Sequence, residues 1–194
     1  MNFGEPFGGL IPGARGAVLY RLLRTGAALT GRQVHSQVRD THSLGSVQQA
    51  LRELEQLGLT TSEPVGRAHV HQINEQHETV GHLRALMSPL DILTTVVHDV
   101  SSGAQAVIVF GSVARGEGTS QSDVDLAVIA PDDWDGRVEL ADAVHDRLGN
   151  SCDVLHLGPD DFTDTRDEPV VADILRDGIA LLGKVPRHRA TSRS

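Results

Sequence analysis

The stretch Val107-Ile-Val-Phe-Gly-Ser-Val-Ala-Arg-Gly-Glu117, followed by Ser122-Asp-Val-Asp-Leu-Ala-Val-Ile129, decides the fold of the C-terminal half of this chain. Ala106 to Phe110 is an unbroken apolar run, the pattern of a strand buried on both faces. It leads into Gly111, which permits a tight departure and close backbone approach. Ser112 offers a hydroxyl and an amide to a phosphate. Val113-Ala-Arg-Gly116 reads as the start of a helix whose first amides face the same anion. Ten residues separate Ser112 from Asp123. In the second strand, alternation puts Asp123 and Asp125 on one face and Val124, Leu126 and Val128 on the other. Two carboxylates this close repel, and a bound divalent cation relieves the repulsion. Gly111, Ser112, Arg115 and Ser122 are thus nucleotide-binding candidates, and Asp123 and Asp125 are metal-binding and catalytic candidates. The alternative reading of the pair is two exposed carboxylates at a strand start.

Outward on the C-terminal side, Val138 to Leu148 has helical period, with Val138, Leu140, Ala141, Val144 and Leu148 on its apolar side. Gly149-Asn150 breaks it. Ser151-Cys-Asp-Val-Leu-His-Leu157 then alternates as a third strand. Glu168 to Leu182 reads as one closing helix through Val170, Val171, Ile174, Leu175, Ile179 and Leu182. Residues 187–194 read as a disordered tail. Cys152 has no obvious base beside it and reads as filler. Trp134 reads as the anchor of an acidic loop.

On the N-terminal side, residues 1–13 are dense in Gly and Pro and read as a flexible arm. Residues 14–75 read as three helices and a hairpin. Val18, Leu19, Leu22 and Leu23 form the first stripe, which Gly26 ends. Thr30 caps a second helix, Gly31 to Val38. Ser43 or Ser46 caps a third that carries Val47, Leu51 and Leu54 and stops at Gly58. Two short strands around Gly66 form a wing. Residues 76–89 read as a connector helix or dimer element, broken at Pro89, and residues 90–186 as the second domain.

Ser43 to Leu59 resembles the recognition helix and wing entry of bacterial winged helix-turn-helix regulators. The polar side of that helix presents Ser46, Gln48, Gln49 and Arg52, and the wing presents Arg67 and His69. Gln suits adenine, and Arg suits guanine or phosphate. These six residues are the candidates for contact with double-stranded DNA. The competing reading is a solvated helix beside an ordinary hairpin. Such folds commonly dimerise, so a homodimer is expected.

Gly111-Ser112, ten residues, then Asp123-Val124-Asp125 resembles the signature of the polymerase-beta-like nucleotidyltransferases, above all their minimal, antitoxin-like branch. That resemblance implies a third carboxylate on a later strand, for which Asp153 is the candidate. It implies two Mg²⁺ ions (Mn²⁺ as a substitute) held by Asp123, Asp125 and Asp153. It further implies an NTP substrate, ATP favoured, and transfer of a nucleoside monophosphate to a protein, RNA or small-molecule hydroxyl. A cognate toxin is one such acceptor, which would place the protein in toxin–antitoxin biology. The expected fold is α+β: an N-terminal winged helix-turn-helix, then a polymerase-beta-like α/β domain with a short mixed sheet. The alternative function is a nucleotide-sensing transcriptional regulator with a weak or inactive transferase domain. A pure interaction scaffold leaves the Gly-Ser and Asp pattern unexplained.

Bulk composition agrees with two modest domains. The chain has 194 residues and one cysteine, so no intrachain disulfide framework is possible. No run reaches the roughly 18 apolar residues of a membrane span, and Met1 to Gly13 lacks the pattern of a secretory signal. A cytoplasmic location and no membrane partner are expected. Residues 1–90 hold eight Arg and seven acidic groups, net +1, whereas residues 91–194 hold nine Lys or Arg and nineteen acidic groups, net −10. Only the first half has a balance compatible with nucleic acid.

Overall fold

A computed structural model describes residues 1–158, 161 and 169–186. The chain divides into two compact units. One is Glu5–Ser88. The other unites Met1–Gly4 with the chain from Pro89 onward.

In the first unit, a 3-10 turn, Pro6–Gly9, is followed by α1 (Gly13–Thr25), β1 (Leu29–Thr30), α2 (Gly31–Ser36) and α3 (Leu44–Gln56). Then come β2 (Thr60–Val65), β3 (Ala68–Ile73) and α4 (Thr79–Ala85). Local chemistry sets the boundaries. Thr30 and Gln33 form a reciprocal capping box at α2. Ser43, not Ser46, caps α3 by accepting from the Ser46 amide. The turn between β2 and β3 sits on Gly66 at φ +63°, inside the left-handed region that glycine tolerates. The three strands form an antiparallel sheet in the order β1-β3-β2. Val47, Ala50, Leu51 and Leu54 of α3 follow helical spacing, and all are buried against Val18, Leu19, Leu22, Val34 and Ile73. Each of the Val, Leu and Ile side chains among them contributes roughly 1.5–3 kcal/mol on burial.

Two sequence expectations for this region are corrected. Val80 and Leu83 of α4 belong to the same core, so that helix is part of the winged unit and not a bare connector. Residues 1–13 are not a loose arm. Phe7 is 1% exposed and meets Tyr20 edge to face at 6.2 Å. Phe3 is buried in the other unit. Two aromatic anchors outweigh the Gly and Pro around them.

In the second unit, α5 (Pro89–Val100), β4 (Ala106–Phe110), α6 (Gly111–Ala114) and β5 (Val124–Ile129) precede α7 (Arg137–Leu148). β6 (Cys152–Leu157), α8 (Pro169–Asp177) and β7 (Ile179–Leu182) complete it. The sheet order is β6-β5-β4-β7. β4 is antiparallel to β5 and to β7, and β5 is parallel to β6, so the sheet is mixed. Alternation sorts the central strands between two cores. Val107, Val109, Leu126 and Val128 pack with Leu93, Val97, Leu140 and Val144 of α5 and α7. Ile108, Ala127 and Ile129 pack with Val171 and Ile174 of α8. Both faces are covered, which explains the unbroken apolar run in β4.

The expected closing helix is shorter than its apolar series. It ends at Asp177, and Ile179–Leu182 instead forms β7 on the outer edge of β4. Gly178 is the reason: a Cβ there would lie 2.3 Å from the Ile174 carbonyl oxygen and 2.8 Å from Ile108 Cγ2. Glu168, the expected first residue of that helix, and the tail 187–194 lie outside the described residues. Among the described residues no helix is long and apolar enough to cross a membrane.

Candidate functional site

The C-terminal site is built by strand register. Phe110 is paired across the antiparallel β4–β5 ladder with Asp125, and Asp125 is paired across the parallel β5–β6 ladder with Asp153. Gly111, one residue past Phe110, has φ +68°. A Cβ at that position would sit 2.4 Å from Asp125 Oδ2, so only glycine lets this carboxylate rest against the turn. Asp123 stands one residue before β5 begins and is exposed, as is Asp153, while Asp125 is half-buried. Burial raises the Asp125 carboxyl above the usual range. The neighbouring charges of Asp153 and then Asp123 push it the same way, and only Arg115 opposes them. The same surroundings push the Cys152 thiol up to about 12, chiefly by burial. A thiol so disfavoured as thiolate is no nucleophile, in keeping with its reading as filler.

The other expected nucleotide-site residues lie around this row. Ser112 follows Gly111 at the start of α6, and its carbonyl accepts from the Glu117 amide at 2.9 Å. Arg115 ends that turn and pairs with Glu117 at 3.0 Å, both side chains exposed. Ser122 Oγ accepts from the Thr119 amide at 2.9 Å, so its hydroxyl closes the loop ahead of Asp123. Asn150 was read from sequence only as part of a break. It is 1% exposed, and its Nδ2 donates to Ser122 O at 3.0 Å and Thr119 O at 3.3 Å. A polar residue between a helix stop and a strand was the available signal.

The donor set is of the hard oxygen type that Mg²⁺ takes. The mutual repulsion at Asp125, relieved by nothing but one arginine, fits a group of positive charge. Among the described residues no three His, Cys, Asp or Glu side chains are drawn together into a finished ligand cage. The fit therefore rests on carboxylates aligned by register and not on a closed coordination shell.

In the winged unit, Gln48, Arg52, Arg67 and His69 share an open groove of about 920 Å³ between α3, the N-terminus of α2 and the wing. Thr30, Arg32 and His71 join them there. As groove residues, Arg32 and Thr30 escaped the sequence reading because neither lies on α3 or the wing. His71 has its Nδ1 buried without a partner, and burial lowers its pKa. Ser46 and Gln49 lie elsewhere. They line a separate cleft of about 710 Å³ with Leu10, Ile11, Leu57 and Leu83. Gln49 is also engaged along its own helix, donating to Glu53 at 3.0 Å and accepting from Arg52 at 2.7 Å.

Residues 98–185 match the family model described as polymerase beta, nucleotidyltransferase. The chain thus carries a polymerase-beta-like nucleotidyltransferase domain, preceded by a largely helical region. No curated protein matches it. Among solved structures, a toxin–antitoxin structure with AMP-PNP is similar at a TM-score of 0.38 and 24% identity, covering 50% of this chain and 74% of that one. The Shewanella oneidensis complex of a tri-AMPylated HEPN toxin with its MNT antitoxin is similar at 0.34 and 23%, covering 49% and 70%. TrmBL2, an archaeal chromatin protein, is similar at 0.30 and 13%, covering 87% and 73%. Such low TM-scores leave the family match and the geometry to carry the assignment.

Proposed function

We propose that this protein is a Mg²⁺-dependent nucleotidyltransferase that moves AMP from ATP to a hydroxyl, most simply one on a partner protein, and that its winged unit binds double-stranded DNA. The observation that carries the reading is the row Gly111–Asp125–Asp153, fixed across three adjacent strands with Asp123 beside it. Asp123, Asp125 and Asp153 would hold the metal. When bound, the metal supplies charge neutralisation for the triphosphate and a lowered pKa for the attacking hydroxyl. The chain's own groups do the rest. The Gly111 turn lets phosphate oxygens approach the backbone, and the Ser112 hydroxyl and amide donate to them. Arg115, exchanging Glu117 for phosphate, would be a second cation to offset the charge of the leaving pyrophosphate. The Asp153 carboxylate takes the proton of the acceptor hydroxyl as its oxygen bonds to the α-phosphorus and the bond to pyrophosphate breaks. Alignment and fixed charge supply most of the acceleration.

DNA contact is supported by the basic groove, whose Arg52, Arg67 and Arg32 are all exposed and whose Gln48 is a base-reading residue type. One assay tests the transferase half of this reading. The protein is incubated with Mg²⁺, each α-labelled NTP in turn and a lysate of its own cells, and label is followed into protein, RNA and metabolites. Label transferred from ATP onto a defined acceptor, and lost with a chelator, is the expected outcome. ATP binding without label on any acceptor, alongside tight operator binding, would replace the transferase with a nucleotide sensor.

A further inference from the structure

Between the Gly111 turn and Asp123 lies a loop, residues 116–122, that contains two glycines, Gly116 and Gly118. Free glycines carry a large conformational entropy, and the loop's own bonds, such as the Thr119 amide to Ser122 Oγ at 2.9 Å, close only its Thr119–Ser122 end. Here it is held from outside at both ends. At one end the segment Met1–Gly4 runs against it. The Gly4 amide donates to Gly118 O at 2.8 Å. A Cβ on Gly4 would meet Gly116 O at 3.0 Å. A Cβ on Gly118 would meet Val113 Cγ2 at 2.9 Å and Phe3 Cβ at 3.3 Å. Segment and loop are therefore in contact with no room for a side chain on either glycine. Phe3 anchors the segment, at 9% exposed within the α5–α7 core.

At the other end Asn150 takes the Thr119 and Ser122 carbonyls with one amide group. Its Oδ1 accepts from the nitrogen of Met1, which also donates to Leu148 O at 2.7 Å. The two clamps are thus joined to each other through Met1. Neither Phe3, Gly4 nor Asn150 is a catalytic residue; each acts on Ser122 and Asp123 through the loop.

We infer that the Met1–Gly4 strap and Asn150 form a positioning device that fixes loop 116–122 and thereby holds Ser122 and Asp123, which lie just beyond the β4–β5 ladder, in place relative to the Gly111–Ser112 turn. The consequence for catalysis rests on the transferase reading. The test uses the full chain and three variants. Phe3→Ala removes the anchor, Gly4→Val wedges strap from loop without opening a cavity, and Leu140→Ala makes a cavity in the same core on α7. Hydrogen exchange of the amides of residues 116–122 is expected to accelerate about ten-fold in the two strap variants and to stay near wild type in Leu140→Ala. Transfer, read as kcat/KM for the NTP, is expected to drop about ten-fold or more in the strap variants, with Phe3→Leu restoring most of it. Unchanged loop exchange in both strap variants would overturn the inference. So would loss of transfer that tracks thermal stability equally in all three. A wild-type chain that transfers nothing would sink the transferase reading alone, and loop exchange would still decide for or against the strap.

Discussion

The two units handle charge in opposite ways. In the winged unit, Arg32, Arg52 and Arg67 stand exposed around an open groove, where solvent screens their like charge. In the transferase unit, strand register holds Asp125 beside Asp153 with Asp123 close by, and the half-buried member is pushed toward its neutral form. An exposed cationic groove costs the fold little when empty. A register-locked acidic row carries its repulsion permanently, and a cation relieves it. The net charges, +1 for Glu5–Ser88 and −10 for the remainder, repeat the division. Substitutions in the two units should therefore separate cleanly in both activity and stability.

The sharpest break would come from Asp123→Ala. Transfer should fall more than 100-fold, a loss of about 3 kcal/mol or more of transition-state stabilisation, while DNA affinity in a gel-shift titration stays put. A labelled-NTP assay showing near-normal transfer would remove Asp123 from the mechanism. Next in size is Leu54→Ala in the winged core, where Leu54 is fully buried. It should cost about 2–5 kcal/mol and lower one calorimetric transition while leaving the other in place. If both transitions moved together, the units would not be thermodynamically separate. Arg52→Ala and Arg67→Ala should each weaken DNA binding by about 1–3 kcal/mol and reduce its salt dependence. Gln49→Ala, in the other cleft, should change it by less than about 0.5 kcal/mol. An equal loss from Gln49→Ala would move the DNA surface to the opposite side of α3. The smallest effect sharpens the contrast most. Asp125→Asn should abolish transfer in the Mg²⁺ assay yet, with a chelator present, raise the melting temperature of its unit by about 1–3 °C, since it removes like-charge repulsion. The sign follows from the raised pKa: the charged form is the one the fold disfavours, so a neutral isostere gains near neutral pH. A lowered melting temperature would show that Asp125 is needed for structure.

Strand-borne residues were the more legible ones. Side-chain alternation has period two, which is enough to set Asp125 on the face opposite Val124 and Leu126, whereas Asp123, expected inside the strand, stands one residue before it. The structure adds the register that sets Asp153 next to Asp125. The α3 residues were harder. Ser46, Gln48, Gln49 and Arg52 are spaced so that one helix carries them to different sides, and only the packed core decides which side is the groove. Thr30 is legible as a helix cap, but its place in the groove, like that of Arg32, is not, because both come from another helix N-terminus. The sequence points to helix across β7 because Ile179 and Leu182, three apart, fit a helical period, whereas the strand buries Leu181 and leaves Ile179 exposed. Gly178 was the discriminating signal, since its lack of a Cβ matters only once Ile108 is known to be beside it. Phe3 and Phe7 were missed for a related reason: composition averages over a segment, whereas one buried ring fixes it.

The strap has a consequence for the order in which the molecule is made. Apart from Met1, every residue that clusters with Phe3 lies at Leu90 or later, and the Leu148 carbonyl that Met1 reaches is 147 positions away. Glu5–Ser88 contains its own core and can close it as soon as that stretch has emerged. The segment Met1–Gly4 cannot dock until Leu148 and the core around Phe3 have also been made. Loop closure over such a distance is entropically affordable, because each doubling of length adds only about 0.6 kcal/mol, but it is slow to reach. During synthesis, loop 116–122 is thus held in place only after the core of Glu5–Ser88 can already have closed.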